Sequence, residues 1–330
     1  MMTNLSVSTL AAADRVEVLV LVDNVTDFLS STPRGVEGEL SRFWTRGARL
    51  QGPLLCCAAH GFACAITVTA GATTRTLLFD TGPEGAVFAR NVDRLGFDIG
   101  TVDALFLSHG HWDHAGGMLD ALDLIREANG GRQVATYMHP GMYRSRASQA
   151  PDGTIRRFAD IPDPDTLAQH GAQVQHTTTP HTVLDDLFLV SGEIPRTTAF
   201  EPGLPGQVRR TEDDSGWEPD PLVIDERFVA VRVKDKGAFV FTACSHAGVV
   251  NVLLHARRLL PDTPIHGVMG GLHLAGSNEG IVPQTVAALR EFDMKRIVPA
   301  HCTGWRAVGA LAAAFGESVA PAAVGKTYHL

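Results

Sequence analysis

The chain has 330 residues, of which 45% are hydrophobic and 19% charged, and a formal net charge of −8. The acidic balance argues against a nucleic-acid partner, because affinity for a phosphate backbone comes from clustered Lys and Arg. Apolar runs are shorter than the roughly 18–20 residues that span a bilayer, so we expect no membrane partner. The length allows one large domain, and we predict a single domain over residues 1–330.

The N-terminus and the cysteines bear on the compartment. A secretory signal would show a cationic region, an apolar stretch and a small-residue cleavage site, and we expect none here. The five cysteines, an odd number, match no disulfide framework. We therefore expect reduced thiols and a cytoplasmic protein. A homodimer is compatible with the sequence.

Short β-type runs alternate with helical patterns along the chain. The segment 144–164 is polar and is expected to be an exposed insertion, and the Pro- and Gly-rich segment 198–221 is expected to be a lid-like loop. The alternation predicts sheets that are covered by helices on their outer faces. Strands are predicted at 16–22, 65–69, 76–79, 104–107, 134–138, 187–190, 228–233, 238–242, 265–269 and 296–299, and helices at 116–128, 249–260 and 283–292.

Residues 108–117 read SHGHWDHAGG, with three histidines and one aspartate within six positions. This cluster follows an apolar strand and precedes a helix, so a sharp turn can direct its side chains toward two neighbouring points. Such a geometry suits two metal ions roughly 3.5–4 Å apart. Imidazole with carboxylate favours zinc, iron or manganese over calcium or magnesium. The predicted metal ligands of this segment are His109, His111, Asp113 and His114.

The HxHxDH pattern after an apolar strand, with LLFDTG upstream at 77–82, resembles the metallo-β-lactamase superfamily. The resemblance implies an α/β (α+β) fold, an αββα sandwich of two facing β-sheets with outer helices. It also implies two divalent metal ions at one edge of the sandwich, with zinc as first choice and manganese or iron as alternatives. The segments LVDN (21–24), HGF (60–62), HP (139–140), SGEIPR (191–196), CSHAG (244–248), GGLHL (270–274) and PAHCTG (299–304) narrow the resemblance to the branch of dihydropterin–ribofuranosylaminobenzene-phosphate synthase-like proteins.

The resemblance further implies ligands at later strand ends. His301 lies where the last histidine ligand of the superfamily is expected. The strand that usually ends in a bridging aspartate reads FVFTACSH here, which makes Cys244 a ligand and His246 a further candidate. VSGEIPR stands in place of the usual TPGHT, which makes Glu193 another candidate ligand. In contrast, Cys302 is expected to point away from His301 and to be structural.

Catalytic and substrate-binding roles are predicted for a second set of residues. Asp113 would orient the attacking water, and His273 or His246 would stabilise an oxyanion or protonate the leaving group. Arg196 offers a planar clamp for a carboxylate or phosphate. His60 is expected to be structural. The predicted substrate-binding residues are Arg196, Glu193 and Trp217, the last of these in the lid-like loop.

Two ions held in this way would lower the pKa of a bridging water toward about 7 and supply a metal-bound hydroxide. The sequence therefore predicts a dinuclear metal-dependent hydrolase, or a diphosphate-releasing synthase, that acts on a small anionic substrate. An iron-dependent oxygen or redox enzyme on the same fold is one alternative. A non-catalytic metal-containing ligand-binding protein is another, because Cys244 replaces the bridging aspartate.

Overall fold

The computed structural model describes residues 10–47 and 49–330. The first residues, on which the expectation of no secretory signal depends, lie outside the described ones. The strands are β1 (Ala12–Ala13), β2 (Arg15–Val22), β3 (Val36–Glu37), β4 (Ala63–Ala70), β5 (Thr73–Phe79), β6 (Ala104–Phe106), β7 (Val134–Met138), β8 (Arg146–Gln149), β9 (Ile155–Arg157), β10 (Ala172–His176), β11 (His181–Val183), β12 (Phe188–Val190), β13 (Gln207–Arg210), β14 (Trp217–Pro219), β15 (Val229–Val233), β16 (Gly237–Phe241), β17 (Ile265–Gly271), β18 (Arg296–Ala300) and β19 (Thr327–His329). The helices are α1 (Glu39–Thr45), α2 (Gly85–Leu95), α3 (Trp112–Ala115), α4 (Met118–Ala128), α5 (Pro164–Gln169), α6 (Val249–Leu259), α7 (Val282–Leu289) and α8 (Trp305–Phe315). In this part of the chain, no helix combines the length and apolar character that a membrane crossing requires.

Two large sheets face each other. The first has the strand order β11-β12-β15-β16-β17-β18, with β1 beside β15. The second has the order β10-β7-β6-β5-β4-β2-β19-β3. Strands β16, β17 and β18 run parallel in the first sheet, and β5, β6 and β7 run parallel in the second. Because parallel strands end at the same edge of a sheet, residues that follow them are brought together.

Side-chain alternation along the strands separates an inner core from two outer ones. Val16 of β2 and Phe239 of β16 belong to the core between the two sheets. Leu19 of β2 points to the other face and packs with residues of α2 and α4. Val240 of β16 packs in the same way with α6, α7 and α8. The architecture is therefore the predicted αββα sandwich.

The helix predicted at 116–128 is present as α4, which begins two residues later than predicted and ends at Ala128, and the short helix α3 precedes it. Helix α3 ends at Ala115 and α4 begins at Met118, with two glycines between them. A Cβ atom on Gly116 would lie 1.9 Å from the carbonyl oxygen of Pro83. This close approach of two backbone segments separates α3 from α4 immediately after the histidine cluster.

A third sheet replaces the predicted insertion and lid. Its order is β14-β13-β8-β9, so segments 144–164 and 198–221 pair with each other instead of forming separate loops. The buried Arg146 guanidinium on β8 contacts the carboxylates of Asp220 and Asp225. The second oxygen of Asp225 accepts a hydrogen bond from the backbone N–H of Gly110 at 2.9 Å. These contacts attach the third sheet to the loop that carries the predicted ligands.

Candidate metal centre

The site residues follow strands of both large sheets and lie together at one edge of the sandwich. Several of these ends have backbone angles that L-residues rarely adopt: φ is 56° at Asp80, 55° at Ser245, 45° at His273 and 44° at His301. Each such residue costs on the order of 1–3 kcal/mol and persists where the surroundings impose it, most often at functional sites. The residues in question follow β5, β16, β17 and β18.

His109, His111 and His246 form the first group. His109 Nδ1 donates to Ser108 Oγ at 2.9 Å, and His111 Nε2 donates to Gln207 Oε1 at 2.6 Å. The remaining nitrogens of these two rings carry lone pairs and face each other, with His109 Nε2 2.9 Å from His111 Nδ1. His246 Nε2 lies 3.2 Å from His109 Nε2. Lone pairs at this distance repel each other, and a cation placed between them would remove the repulsion.

Burial keeps the first group neutral. It is the main cause that lowers the pKa of His109 and of His246 well below the ordinary range, and neighbouring imidazoles add to it. Burial, together with the charge of Arg146, lowers the pKa of His111 to about 4. Neutral imidazole is the form that binds metals. Tetrahedral zinc ligation at 2.0–2.1 Å separates nitrogen ligands by about 3.3 Å, close to the observed spacing. The residues of this group fit a metal ion.

Asp113, His114 and His301 form the second group. Asp113 Oδ2 lies 3.2 Å from His301 Nε2 and 3.7 Å from His114 Nε2. His301 Nε2 is buried, and apart from this contact with Asp113 it has no polar partner among the described residues. Cys244 Sγ lies 3.2 Å from His114 Nε2, and its ligand atom is also within 4.8 Å of those of His109 and His246. Cys244 therefore lies between the two groups.

The second group favours a positive charge. Burial opposes protonation of His114, but the carboxylates of Asp113 and Asp80 outweigh burial and raise the pKa of His114 to about 9. Burial would also raise the pKa of Asp113, yet the imidazoles of His114 and His301 hold that pKa below its ordinary value. The same carboxylates would stabilise a divalent cation bound at this position.

Two buried carboxylates orient ligands in these groups. Asp80 Oδ2 accepts a hydrogen bond from His114 Nδ1 at 2.8 Å, which directs Nε2 into the site. Glu226 accepts hydrogen bonds from the backbone N–H groups of His246 and Ala247, both at 2.7 Å. Burial raises the pKa of Glu226, while these donors oppose the rise. Such supporting hydrogen bonds fix the orientation of ligands and tune their affinity. Neither role was expected from the sequence.

Two residues of the LVDN segment (21–24) form hydrogen bonds with His301. Asp23 Oδ1 accepts a hydrogen bond from the His301 backbone N–H at 2.7 Å, and burial raises the pKa of Asp23 to about 6. Asn24 Oδ1 accepts from His301 Nδ1 at 2.9 Å, and Asn24 Nδ2 donates to His60 Nδ1 at 3.2 Å. His60 Nε2 then lies 3.6 Å from Asp113 Oδ2. His60, expected to be structural, thus joins the edge of the site.

The three predicted substrate-binding residues lie outside these groups. The Arg196 guanidinium is half-buried and donates to backbone carbonyl groups. Its role as an anion clamp stays a prediction. Glu193 Oε1 contacts His139 Nε2 at 3.2 Å, and Glu193 does not belong to the ligand-type groups found among the described residues. Trp217 lies in the third sheet with the Arg210 guanidinium 5.0 Å from its ring centroid.

Cys302, which was expected to point away from His301 and to be structural, lies beside a candidate ligand, Cys244. Its Sγ lies 3.4 Å from Cys244 Sγ, because the positive φ of His301 turns the chain before it. The His273 ring centroid lies 4.5 Å from that of His246. Both residues therefore border the histidine groups. In the sequence, only the position of Cys302 directly after His301 in PAHCTG indicated that Cys302 could lie near the site.

A cavity of about 900 Å³ opens beside His301. Asp23, Asn24, Trp305 and Lys326 also contribute to its wall. The Trp305 side chain is exposed, and Lys326 Nζ is paired with a neighbouring carboxylate. Small-molecule sites typically enclose about 300–1,000 Å³, so the cavity has room for a substrate next to the second group.

Comparison with known proteins agrees with this geometry. Residues 62–199 match the model of the metallo-beta-lactamase superfamily. A crystal structure of a metal-dependent hydrolase of the beta-lactamase superfamily superposes with a TM-score of 0.68 and 23% identity, over 96% of this chain and 98% of that chain. The chain has the metallo-β-lactamase fold. The resemblance that the HxHxDH and LLFDTG segments predict is thereby confirmed.

Two curated relatives of this metallo-β-lactamase-fold chain come from Methanocaldococcus jannaschii. The 7,8-dihydropterin-6-methyl-4-(beta-D-ribofuranosyl)-aminobenzene-5'-phosphate synthase is 23% identical over 248 residues, which cover 75% of this chain and 82% of that protein. An uncharacterized protein of the same organism is 27% identical over 254 residues, which cover 76% of this chain and 86% of that protein. The branch resemblance that the sequence predicts is confirmed by the first of these.

Proposed function

We propose that the protein is a dinuclear metal-dependent hydrolase that acts on a small anionic substrate. The observation that carries this proposal is the close approach of ring nitrogens of His111 and His246 to Nε2 of His109, beside a second group around Asp113. Imidazole, carboxylate and thiolate ligands make zinc the first choice, with manganese or iron as alternatives. When bound, two such ions lower the pKa of a water and polarise a carbonyl or phosphoryl group.

The residues around the two groups have separate tasks. Asp113 is a ligand of the second group, and its carboxylate can accept a hydrogen bond that orients the attacking water. His60 is suited to exchange a proton with the substrate, because its side chain is 60% exposed and Asn24 occupies its Nδ1. His246 is enclosed by His109 and His111, so we assign it to metal binding and not to acid–base work.

The cavity beside His301 would hold the body of the substrate. Support for an anionic substrate comes from the name of the curated relative, a 5'-phosphate synthase. The same relative supports a second candidate function, a synthase that releases diphosphate at the same centre.

The test is turnover by the zinc- or manganese-loaded protein on phosphodiesters, lactones and thioesters, and on a pterin diphosphate with an aminobenzene ribotide. We expect hydrolysis of at least one class, and we expect Asp113→Asn to reduce it by orders of magnitude. Asp123→Asn, which changes an exposed carboxylate on α4, is the matched control and should keep full activity. Full turnover by Asp113→Asn would contradict the proposal.

Other outcomes point to the alternatives. Diphosphate release that requires the amine acceptor would favour the synthase. Near-stoichiometric iron with oxygen consumption would favour a redox enzyme. Ligand binding that survives Asp113→Asn without any turnover would favour a non-catalytic protein.

A further inference from the structure

Cys244, His273 and Cys302 form a third group of ligand-type side chains. They follow three neighbouring parallel strands, β16, β17 and β18, so the sheet itself places them side by side. Their ligand atoms lie within 4.8 Å of one another, and the two sulfurs are 3.4 Å apart. Neither cysteine takes part in a disulfide.

The backbone is shaped to bring this group together. Ser245, His273 and His301, which belong to the group or adjoin its members, all have positive φ angles. Gly271 leaves room for one sulfur, since a Cβ at that position would lie 2.6 Å from Cys302 Sγ and 2.3 Å from the carbonyl oxygen of Ala243. Ordinary core packing of two small apolar thiols needs no such backbone strain.

His273 supplies a second, independent observation. Its Nδ1 atom is buried and has no hydrogen-bond partner among the described residues. Its backbone carbonyl accepts a hydrogen bond from Asn278 Nδ2 at 2.9 Å, which anchors the residue in its strained conformation. A buried nitrogen without a partner is costly, and a metal ion is one ligand that would satisfy it.

We propose that Cys244, Cys302 and His273 together bind one divalent ion of the thiolate-preferring class, such as zinc. Two cysteines and one histidine with an open fourth position are an established zinc ligand set. Zinc–sulfur bonds of 2.3 Å in tetrahedral geometry separate two sulfurs by about 3.8 Å, so a shift of a few tenths of an ångström completes the set. Binding releases the thiol protons. The inference rests on the proposed metal centre only through the shared ligand Cys244.

The experiment is a titration of reduced, metal-free protein with Co²⁺, followed by the thiolate-to-cobalt charge-transfer absorption. The intact protein should show a band from two thiolates, and Cys302→Ser about half of it at saturation. Cys64→Ser, which changes a fully buried cysteine of β4, should show the full band. His273→Gln keeps both sulfurs, so it should reach the full band, but at a cobalt concentration at least about tenfold higher. A Cys302→Ser band equal to that of the intact protein would overturn the inference.

The outcome separates this inference from the proposed function. Intact protein that binds cobalt and hydrolyses substrate without any thiolate band would contradict the thiolate site but not the proposed hydrolase function. The reverse result, a band that halves in Cys302→Ser in a protein without turnover on any substrate class, would support the thiolate site and contradict the hydrolase.

Discussion

The buried carboxylate of Glu226 should matter for metal binding although it contacts no metal ligand side chain. It is fully buried, and its two oxygens accept from the backbone N–H groups of His246 and Ala247. Glu226→Gln replaces one oxygen with an NH₂ group, which then faces an N–H donor. One charge-assisted hydrogen bond is lost and one buried donor is left unsatisfied, so we expect the free energy of unfolding to fall by about 2–4 kcal/mol.

Glu201 offers a matched control. Its carboxylate is also buried and accepts from two backbone N–H groups, those of Val250 at 2.8 Å and Asn251 at 2.9 Å, at the start of α6, the helix that follows His246 and Ala247. Glu201→Gln should therefore lose a similar amount of stability. Only Glu226→Gln moves His246, so it alone should lower metal affinity, by about 10–100-fold.

Two measurements check this pair. Urea denaturation of the metal-free proteins gives the loss of unfolding free energy, and competition with a chromophoric chelator gives zinc affinity. Equal zinc affinity in the two variants would refute the reasoning, because it would show that the backbone at His246 does not control the first group.

Three further predictions concern the same edge of the sandwich. His111 has a pKa of about 4 in the folded chain against about 6.5 unfolded, so the unfolded state takes up the proton first as pH falls. Denaturant unfolding of the metal-free protein should show this contribution fully present above pH 6.5 and a loss of about 3 kcal/mol by pH 4, a loss that is absent in His111→Gln. Gly271→Ala should lower the unfolding free energy by about 1–3 kcal/mol through overlap with Cys302, whereas Gly309→Ala, in open space on α8, should raise it by about 0.5–1 kcal/mol in the same assay. Gln207→Leu removes the acceptor for His111 Nε2, so zinc affinity measured by competition should fall by about tenfold or more.

The sequence could predict the strands, the sandwich and the HxHxDH segment because each depends on local patterns. Alternating apolar residues indicate a strand wherever it lies, and His109 to His114 are neighbours in the chain as well as in space. His301 followed from the resemblance to the superfamily, which places the last histidine ligand after this strand. Strand ends of a parallel sheet meet at one edge, so ligands there can be anticipated without coordinates.

What the sequence could not show depends on distant contacts and on single backbone angles. The third sheet depends on Arg146 pairing with carboxylates more than seventy positions away in the chain. The direction of the Cys302 side chain depends on the positive φ angle of His301, and this angle cannot be predicted from the residue type. The contact of Arg196 with a backbone carbonyl group of a remote loop has no local signal in the sequence.

The metal content of the purified protein, by elemental analysis, tests the two-ion centre most directly. We expect about two equivalents of zinc or manganese per chain in the two histidine-containing groups, and about one more where the Cys244, His273 and Cys302 site is also filled. About one equivalent should be lost in His246→Gln and about one in His301→Gln. The partly exposed His170, which lies outside the candidate metal groups found among the described residues, should leave the content unchanged when it is changed to Gln. Less than about half an equivalent of any metal in the intact protein, or full content in both ligand variants, would contradict the two-ion centre.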